Sequence, residues 1–185
     1  EEQKRLYMEP MFTGRFFGTM CLSEPDVGSS LADIKCRAVQ VSHGTYQLSG
    51  NKMWISGGDH NILENIIHLV LARTPDAPDG VKGISLFIVP KFIPDSVGEP
   101  GLRNEVRCVS LEHKLGIHGS PTASMSYGEE RGAVAYLVGE VNRGLEDMFI
   151  LMKAERNEAA VDGSGMTDRA RQQACRTQPA QNQGH

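Results

Sequence analysis

Between Cys36 and Gly139 the apolar residues come in short runs, each cut within a few residues by Gly, Pro, Asp or Asn. Nowhere do they recur at the three-and-four spacing of a helix face, so the middle of the chain is confined to β structure. The runs predict strands over 36–42, 46–50, 53–56, 66–73, 83–89, 106–112, 122–126 and 133–138, with turns at His43-Gly44, Gly50-Asn51, Asp79-Gly80 and 98–101. Two runs, IIHLVLAR and GISLFIVP, are almost continuously apolar, which marks strands covered on both faces. They are expected at the centre. The polar, Pro-rich spacers TPDAPDGVK and PKFIPDSVGEPGLRNE read as surface excursions. The fold class is therefore mainly β, a small barrel or sandwich.

The ends differ from this middle. GLEDMFILMKAER sets Leu145, Met148, Phe149, Leu151 and Met152 at helical spacing behind Gly144, predicting one helix over 141–158. Residues 159–185 hold no aromatic, Leu or Ile, too little apolar surface to offset ordering entropy, and are expected to be poorly ordered. Residues 1–10 resemble the last turns of a helix leading into a β domain at 11–140. With 19 basic and 23 acidic side chains and no Lys/Arg run, the chain lacks the footprint of a nucleic-acid binder. No apolar run reaches the roughly 18 to 20 residues of a membrane span, and EEQKRLYMEP has no signal-peptide character. A reducing aqueous compartment is expected, the cytoplasm or alternatively the mitochondrial matrix. Cys21, Cys36, Cys108 and Cys175 form no CxxC pair and read as free thiols.

Two loops can carry chemistry. In MCLSEPDVGSS (20–30), Gly28 admits close backbone approach, and the Ser29 hydroxyl with successive N–H groups suits a phosphate oxygen. In GNKMWISGGD (50–59), Trp54 and Ser56 share one side of a strand, offering stacking area and a hydroxyl to a planar heterocycle. Taken singly, an ordinary polar turn and a core tryptophan explain these segments at least as well. His113 and His118, five apart, do not fall on one face and have no partner ligands, so no metal site is expected. Asp59-His60 with Glu64 does not match HExxH. Lys35, Arg37, Arg103 and Arg107 read as scattered surface charges.

In combination, L-S-E-P-x-x-G-S followed by G-x-K-x-W-I-S-x-G resembles the middle β domain of the acyl-CoA dehydrogenases. Lys114-Leu-Gly116 with Thr122, and Leu137-Val-Gly139 with Gly144, match further family segments, so the likeness covers about residues 11 to 156. NILENIIHLVLARTPDAPDGVKGISLFIVPKF and SLEHKLGIHGSPT are most similar to the branch containing 3-methylmercaptopropionyl-CoA dehydrogenase.

The resemblance implies FAD as cofactor. It places Ser23 at the flavin pyrimidine edge, Leu22 backbone on the isoalloxazine, Gly28 and Ser29 at the pyrophosphate, Trp54 against the flavin and Ser56 towards N5. Ser30 stands where many members have Asp. The implied reaction removes an α proton from an acyl-CoA thioester while hydride leaves the β carbon for the flavin, with an electron-accepting flavoprotein as partner and a homo-oligomeric assembly. Some members carry the base just before an Arg on the first helix after the β domain, here Glu155; a solvated glutamate is the alternative. The readings left open are an acyl-CoA dehydrogenase-type enzyme in truncated form, a catalytically inactive FAD- or acyl-CoA-binding remnant, and a self-associating β module.

Overall fold

A computed structural model describes the backbone of residues 1–181 and the side chains of residues 1–176. The chain forms two compact units, Glu1–Leu145 and a second beginning at Glu146.

The first unit carries the strands. They are β1 (Phe16–Cys21), β2 (Arg37–Ser42), β3 (Thr45–Ser56), β4 (Asn65–Arg73), β5 (Ile84–Pro90), β6 (Phe92–Pro94), β7 (Pro100–Arg103), β8 (Val106–Leu111), β9 (Thr122–Tyr127) and β10 (Ala133–Val138). Pairing runs β4–β5–β10–β3–β2 and returns to β4 at Arg37↔Arg73, where the Arg73 N–H donates to the Cys36 carbonyl at 2.9 Å. The ring is closed, a small barrel. β1 lies parallel on β4, and β9 then β8 extend the sheet from the second half of β3.

The two apolar runs became β4 and β5, and β5 is buried along its whole length. The barrel interior includes Tyr46, Leu48, Ile55, Val70, Phe87 and Met125, while Tyr7, Phe16, Ile67 and Ile88 form a second cluster. Tyr7 belongs to a π-helical turn, Lys4–Met8, that precedes a short helix α1 (Glu9–Phe12).

Several expectations need correction. The predicted turn at Gly50-Asn51 does not form, and β3 runs unbroken through it. Gly50 is there for a close crossing: at φ 139°, an added Cβ would stand 2.4 Å from Cys36 Sγ. β1, whose FFGTMC lacks a clean apolar alternation, was not foreseen as a strand; its pairing to β4 orders it. Within the longer excursion, β6 and β7 pair around Asp95, whose Oδ1 accepts the N–H groups of Val97, Gly98 and Glu99.

The helix expected to stop at 158, with a poorly ordered tail after it, instead continues as α2, Gly144–Gln181. Its start requires glycine, because a Cβ on Gly144 would lie 2.2 Å from the Leu86 nitrogen. Beyond residue 158, Ala, Arg, Gln and Met are good helix formers. Asp168 pairs with Arg171 and accepts from Gln172 along one face. The side chains of 153–176 are almost all exposed, as the missing Leu, Ile and aromatics imply. Burial contributes little to this segment. The tail's last residues, 182–185, lie outside the described residues. Among those described, no helix is long and apolar enough to cross a membrane.

One feature of the barrel interior is polar. His68 on β4 shares a 2.7 Å hydrogen bond through Nδ1 with Thr19 Oγ1, Thr19 meets Cys21 Sγ at 3.4 Å, and the Tyr127 hydroxyl donates to Cys21 Sγ at 3.2 Å. All four are buried, and among the described residues His68 Nε2 has no hydrogen-bond partner. Burial pushes the His68 imidazole down to about 3. The unfolded chain therefore takes up this proton first as pH falls below about 6.5, and the folded state loses stability from there towards pH 3. Urea unfolding should show about 2 kcal/mol less stability at pH 5 than at pH 8 from this group alone. Most of that difference should vanish in His68→Gln.

Candidate functional site

Strand alternation makes the site. Along β3 the even positions Tyr46, Leu48 and Lys52 are buried, and an unbroken period of two would turn Trp54 and Ser56 inward as well. A bulge intervenes. Between Lys52↔Met125 and Ile55↔Ala123, β3 has one residue more than β9, which reverses the alternation. Ile55 is buried, while Trp54 and Ser56 point outward.

Trp54 is 56% exposed and has φ 62°, a left-handed backbone costly for a bulky side chain. The pairing on either side of Trp54 must carry this local cost. Past Ser56, Gly57 turns at φ 62° beneath the Phe17 ring, and its N–H donates to the Pro121 carbonyl at 2.9 Å.

The other half of the site leaves β1 as Leu22-Ser23-Glu24. Lys52, whose side chain is fully buried, reaches back to it. Its Nζ donates to the Leu22 carbonyl and to Glu24 Oε1, each at 2.9 Å. Glu24 also accepts the backbone N–H groups of Lys35 and Cys36. Burial alone would raise the Glu24 carboxyl, but Lys52 and these two N–H donors outweigh it and hold it below the usual carboxylate range. The Met53 N–H donates to the Ser23 carbonyl at 3.0 Å, completing the join. Cys36, packed beside Gly50, is pushed up to about 12 by burial, which leaves it an inert thiol.

The structure thus brings Leu22 and Ser23 against Lys52 and Met53, next to Trp54 and Ser56. Gly28 and Ser29 lie further along the same loop, past a turn in which Glu24 and Val27 exchange backbone hydrogen bonds, and both are exposed. No hydrogen bond among the described residues ties them to Trp54 or Ser56. Gly28 is informative in another way. Its φ is not left-handed and nothing lies within 4 Å of an added Cβ, so the fold itself does not require glycine there. Glu155 sits on α2 in the second unit, exposed.

Glu24 and Lys52 were not singled out from sequence as a pair, although period-two burial along 46–52 placed an ammonium inside and so demanded a partner. Lys91 escaped notice too. Nearly buried, it grips the turn after Ser56, pairing with Asp59 Oδ1 at 2.6 Å and donating to the His60 carbonyl at 2.6 Å. Burial opposes but does not prevent the lowering of Asp59 by Lys91 and Arg103. Of the other charges named from sequence, Lys35 pairs with Asp26, Arg107 with Glu129, and Glu64 with Arg15. His113 and His118, expected apart, have ring centroids 6.3 Å apart in the loop between β8 and β9, and no group of three or more candidate metal ligands exists among the described residues.

The first unit is thus a mainly β domain, a small closed barrel that displays a strained tryptophan at the end of β3. The sequence profile of the acyl-CoA dehydrogenase middle domain matches residues 19–129. Over 174 residues the chain is 51% identical to 3-methylmercaptopropionyl-CoA dehydrogenase of Ruegeria pomeroyi, covering 94% of this chain and 29% of that protein. A butyryl-CoA dehydrogenase of Syntrophomonas wolfei is 40% identical over 84% of this chain and 27% of its own length. Among solved structures, an acyl-CoA dehydrogenase from Geobacillus kaustophilus superposes with TM-score 0.67 at 28% identity, over 84% of this chain and 37% of that one. One from Bacillus anthracis, complexed with FAD, does so with TM-score 0.62 at 28% identity, over 80% and 22%. The chain belongs to the acyl-CoA dehydrogenase family and carries its middle domain. It spans less than a third of the length of these curated relatives.

Two measurements probe this wall without any ligand. Lys52→Met strands a buried carboxylate and should cost roughly 3 to 5 kcal/mol in urea unfolding, much of it recovered when Glu24→Leu is added. At position 54 the usual order should invert: Trp54→Gly should be more stable than Trp54→Ala by about 1 kcal/mol, because only glycine relaxes a left-handed φ without strain.

Proposed function

We propose that the Glu1–Leu145 unit binds FAD along the wall formed by residues 22–29 and 52–56, and that the full-length protein uses the flavin to desaturate an acyl-CoA thioester. The observation that carries the reading is Trp54, the chain's only tryptophan, displayed to solvent on a strained, left-handed backbone. Gly28 supports it, since the space an added Cβ would fill stands open where a diphosphate would approach the loop backbone. When bound, FAD supplies the hydride acceptor.

The chain's own residues bind and orient. Trp54 offers its ring for stacking, the Ser23 and Ser56 hydroxyls are donors for the edge of a heterocycle, Leu22 presents backbone, and Gly28 with Ser29 presents N–H and hydroxyl groups to phosphate oxygens. The α proton of the thioester would pass to a carboxylate, for which Glu155, followed by Arg156, is the candidate. An electron-accepting flavoprotein and a homo-oligomeric assembly belong to the same proposal for the full-length protein. For the chain alone, binding without turnover is the favoured reading, because Glu155 is exposed on α2 rather than enclosed beside an acyl chain.

FAD added to the purified chain should quench Trp54 fluorescence and shift the flavin absorption bands. Gly28→Val should leave urea stability within about 0.5 kcal/mol, as an exposed substitution with no neighbour, yet weaken FAD binding at least about tenfold, and Ser56→Ala should weaken it less. Saturable binding unaffected by Gly28→Val would show that the diphosphate lies elsewhere. No quenching at any FAD concentration would overturn the reading for this chain.

A further inference from the structure

The buried string His68–Thr19–Cys21–Tyr127 is a poor device for stability. It places four polar side chains among apolar neighbours, and it ends at His68 Nε2, a fully buried atom with no hydrogen-bond partner. A buried polar group left unmatched weakens a fold, whereas apolar side chains of the same shape would not.

Its placement is more telling. Thr19 and Cys21 occupy alternate, buried positions at the end of β1, immediately before Leu22 and Ser23. Thr19 stands opposite His68 in the β1–β4 register. Tyr127 stands opposite Gly50 on β3, two residues before Lys52. The string therefore joins the end of β1 to the end of β9 that pairs with the middle of β3. Lys52 through the Leu22 carbonyl, and Met53 through the Ser23 carbonyl, join the same two segments just beyond it. Cys21 Sγ is the hinge of this arrangement, held on one side by the Thr19 hydroxyl and on the other by the Tyr127 hydroxyl. The T-shaped contact of the His68 and Tyr127 rings, 5.7 Å between centroids, closes the ends of the string on each other.

We propose that Thr19, Cys21, His68 and Tyr127 are positioning residues, whose hydrogen bonds set the backbone of Leu22–Ser23 and, through Met53, the conformation of Trp54. The role in flavin binding rests on the function proposed above; the effect on Trp54 does not. Thr19 gives the cleanest test, because two substitutions separate the hydroxyl from the packing. Thr19→Val keeps the volume and removes the hydrogen bond, while Thr19→Ser keeps the hydroxyl and removes a methyl group. Two readouts are taken on the 185-residue chain: the single indole N–H resonance of Trp54 without flavin, and the affinity for FAD.

Thr19→Val should move the Trp54 resonance and weaken FAD binding by about three- to tenfold, the scale of one net hydrogen bond. Thr19→Ser should leave both near wild type. Tyr127→Phe, which removes only the far hydroxyl, should act in the direction of Thr19→Val and serves if that variant does not fold. If Thr19→Ser disturbs Trp54 as much as Thr19→Val, packing rather than hydrogen bonding governs the site and the proposal fails. It fails equally if neither Thr19→Val nor Tyr127→Phe moves the resonance. A wild-type chain that takes up no FAD, with the resonance still responding to Thr19→Val, would remove the flavin reading and leave the positioning role standing. FAD binding by the wild type with an unmoved Trp54 resonance would do the reverse.

Discussion

The buried pair of Lys52 and Glu24 is the contact on which the site depends. Removing an ammonium and a carboxylate from water is tolerable only when their attraction is supplemented by further hydrogen bonds. Here the Lys52 ammonium has two acceptors and the Glu24 carboxylate three donors. Those partners belong to separate stretches of chain: the exit of β1, the entry to β2 and the middle of β3. Satisfying the two charges therefore fixes three segments at once, and a shift of one residue in any of them would leave a charge unmatched in the interior. The buried charges thereby reinforce a register that the one-sided burial of the strands already specifies.

From that anchor the display of Trp54 follows. β3 must serve β2 and β10 along its first half and β9 along its second, while Lys52 and Ile55 both remain inside. Inward residues three apart violate a period of two, and the bulge resolves the conflict by absorbing one residue. That residue's backbone strain is taken by Trp54, directly after the hydrogen bond from Met53 to Ser23. The feature that exposes the tryptophan is thus a consequence of keeping Lys52 paired.

Much of this architecture could be read from the amino-acid order. Continuous apolar runs announced β4 and β5, because a strand covered on both faces has no polar positions to spare. The motif pair around Ser23 and Trp54 identified the family. What escaped was whatever depended on pairing rather than on composition. Gly50-Asn51 has turn chemistry, yet Gly50 serves the crossing of Cys36. FFGTMC becomes a strand only because β4 offers it an edge. The length of α2 escaped for a different reason: the absence of Leu, Ile and aromatics forbids burial of residues 159–176 but not helicity, and the two were conflated. The bulge was invisible because it is a property of two strands, and without it the same residues describe a core tryptophan.

The breaches of local rules are not scattered. Among the described residues, the bulky residue besides Trp54 with a left-handed backbone is Ile117, at φ 54° and 81% exposed; Asn142, the other non-glycine case there, is a residue type that adopts this region readily. Ile117 is held in place by Lys114, whose ammonium donates to the carbonyls of Ile117 and Ser120. Its loop ends at Pro121 and Thr122, which meet the Trp54 strand directly: Gly57 donates to Pro121, and Thr122 stands opposite Ser56. The two strained bulky residues therefore belong to segments that are hydrogen-bonded neighbours at one end of the β3–β9 ladder. A chain under selection for stability alone would relax both positions with glycine or asparagine. Both strained residues thus lie on segments joined at the end of the ladder where the tryptophan is displayed, and the surrounding barrel bears the strain.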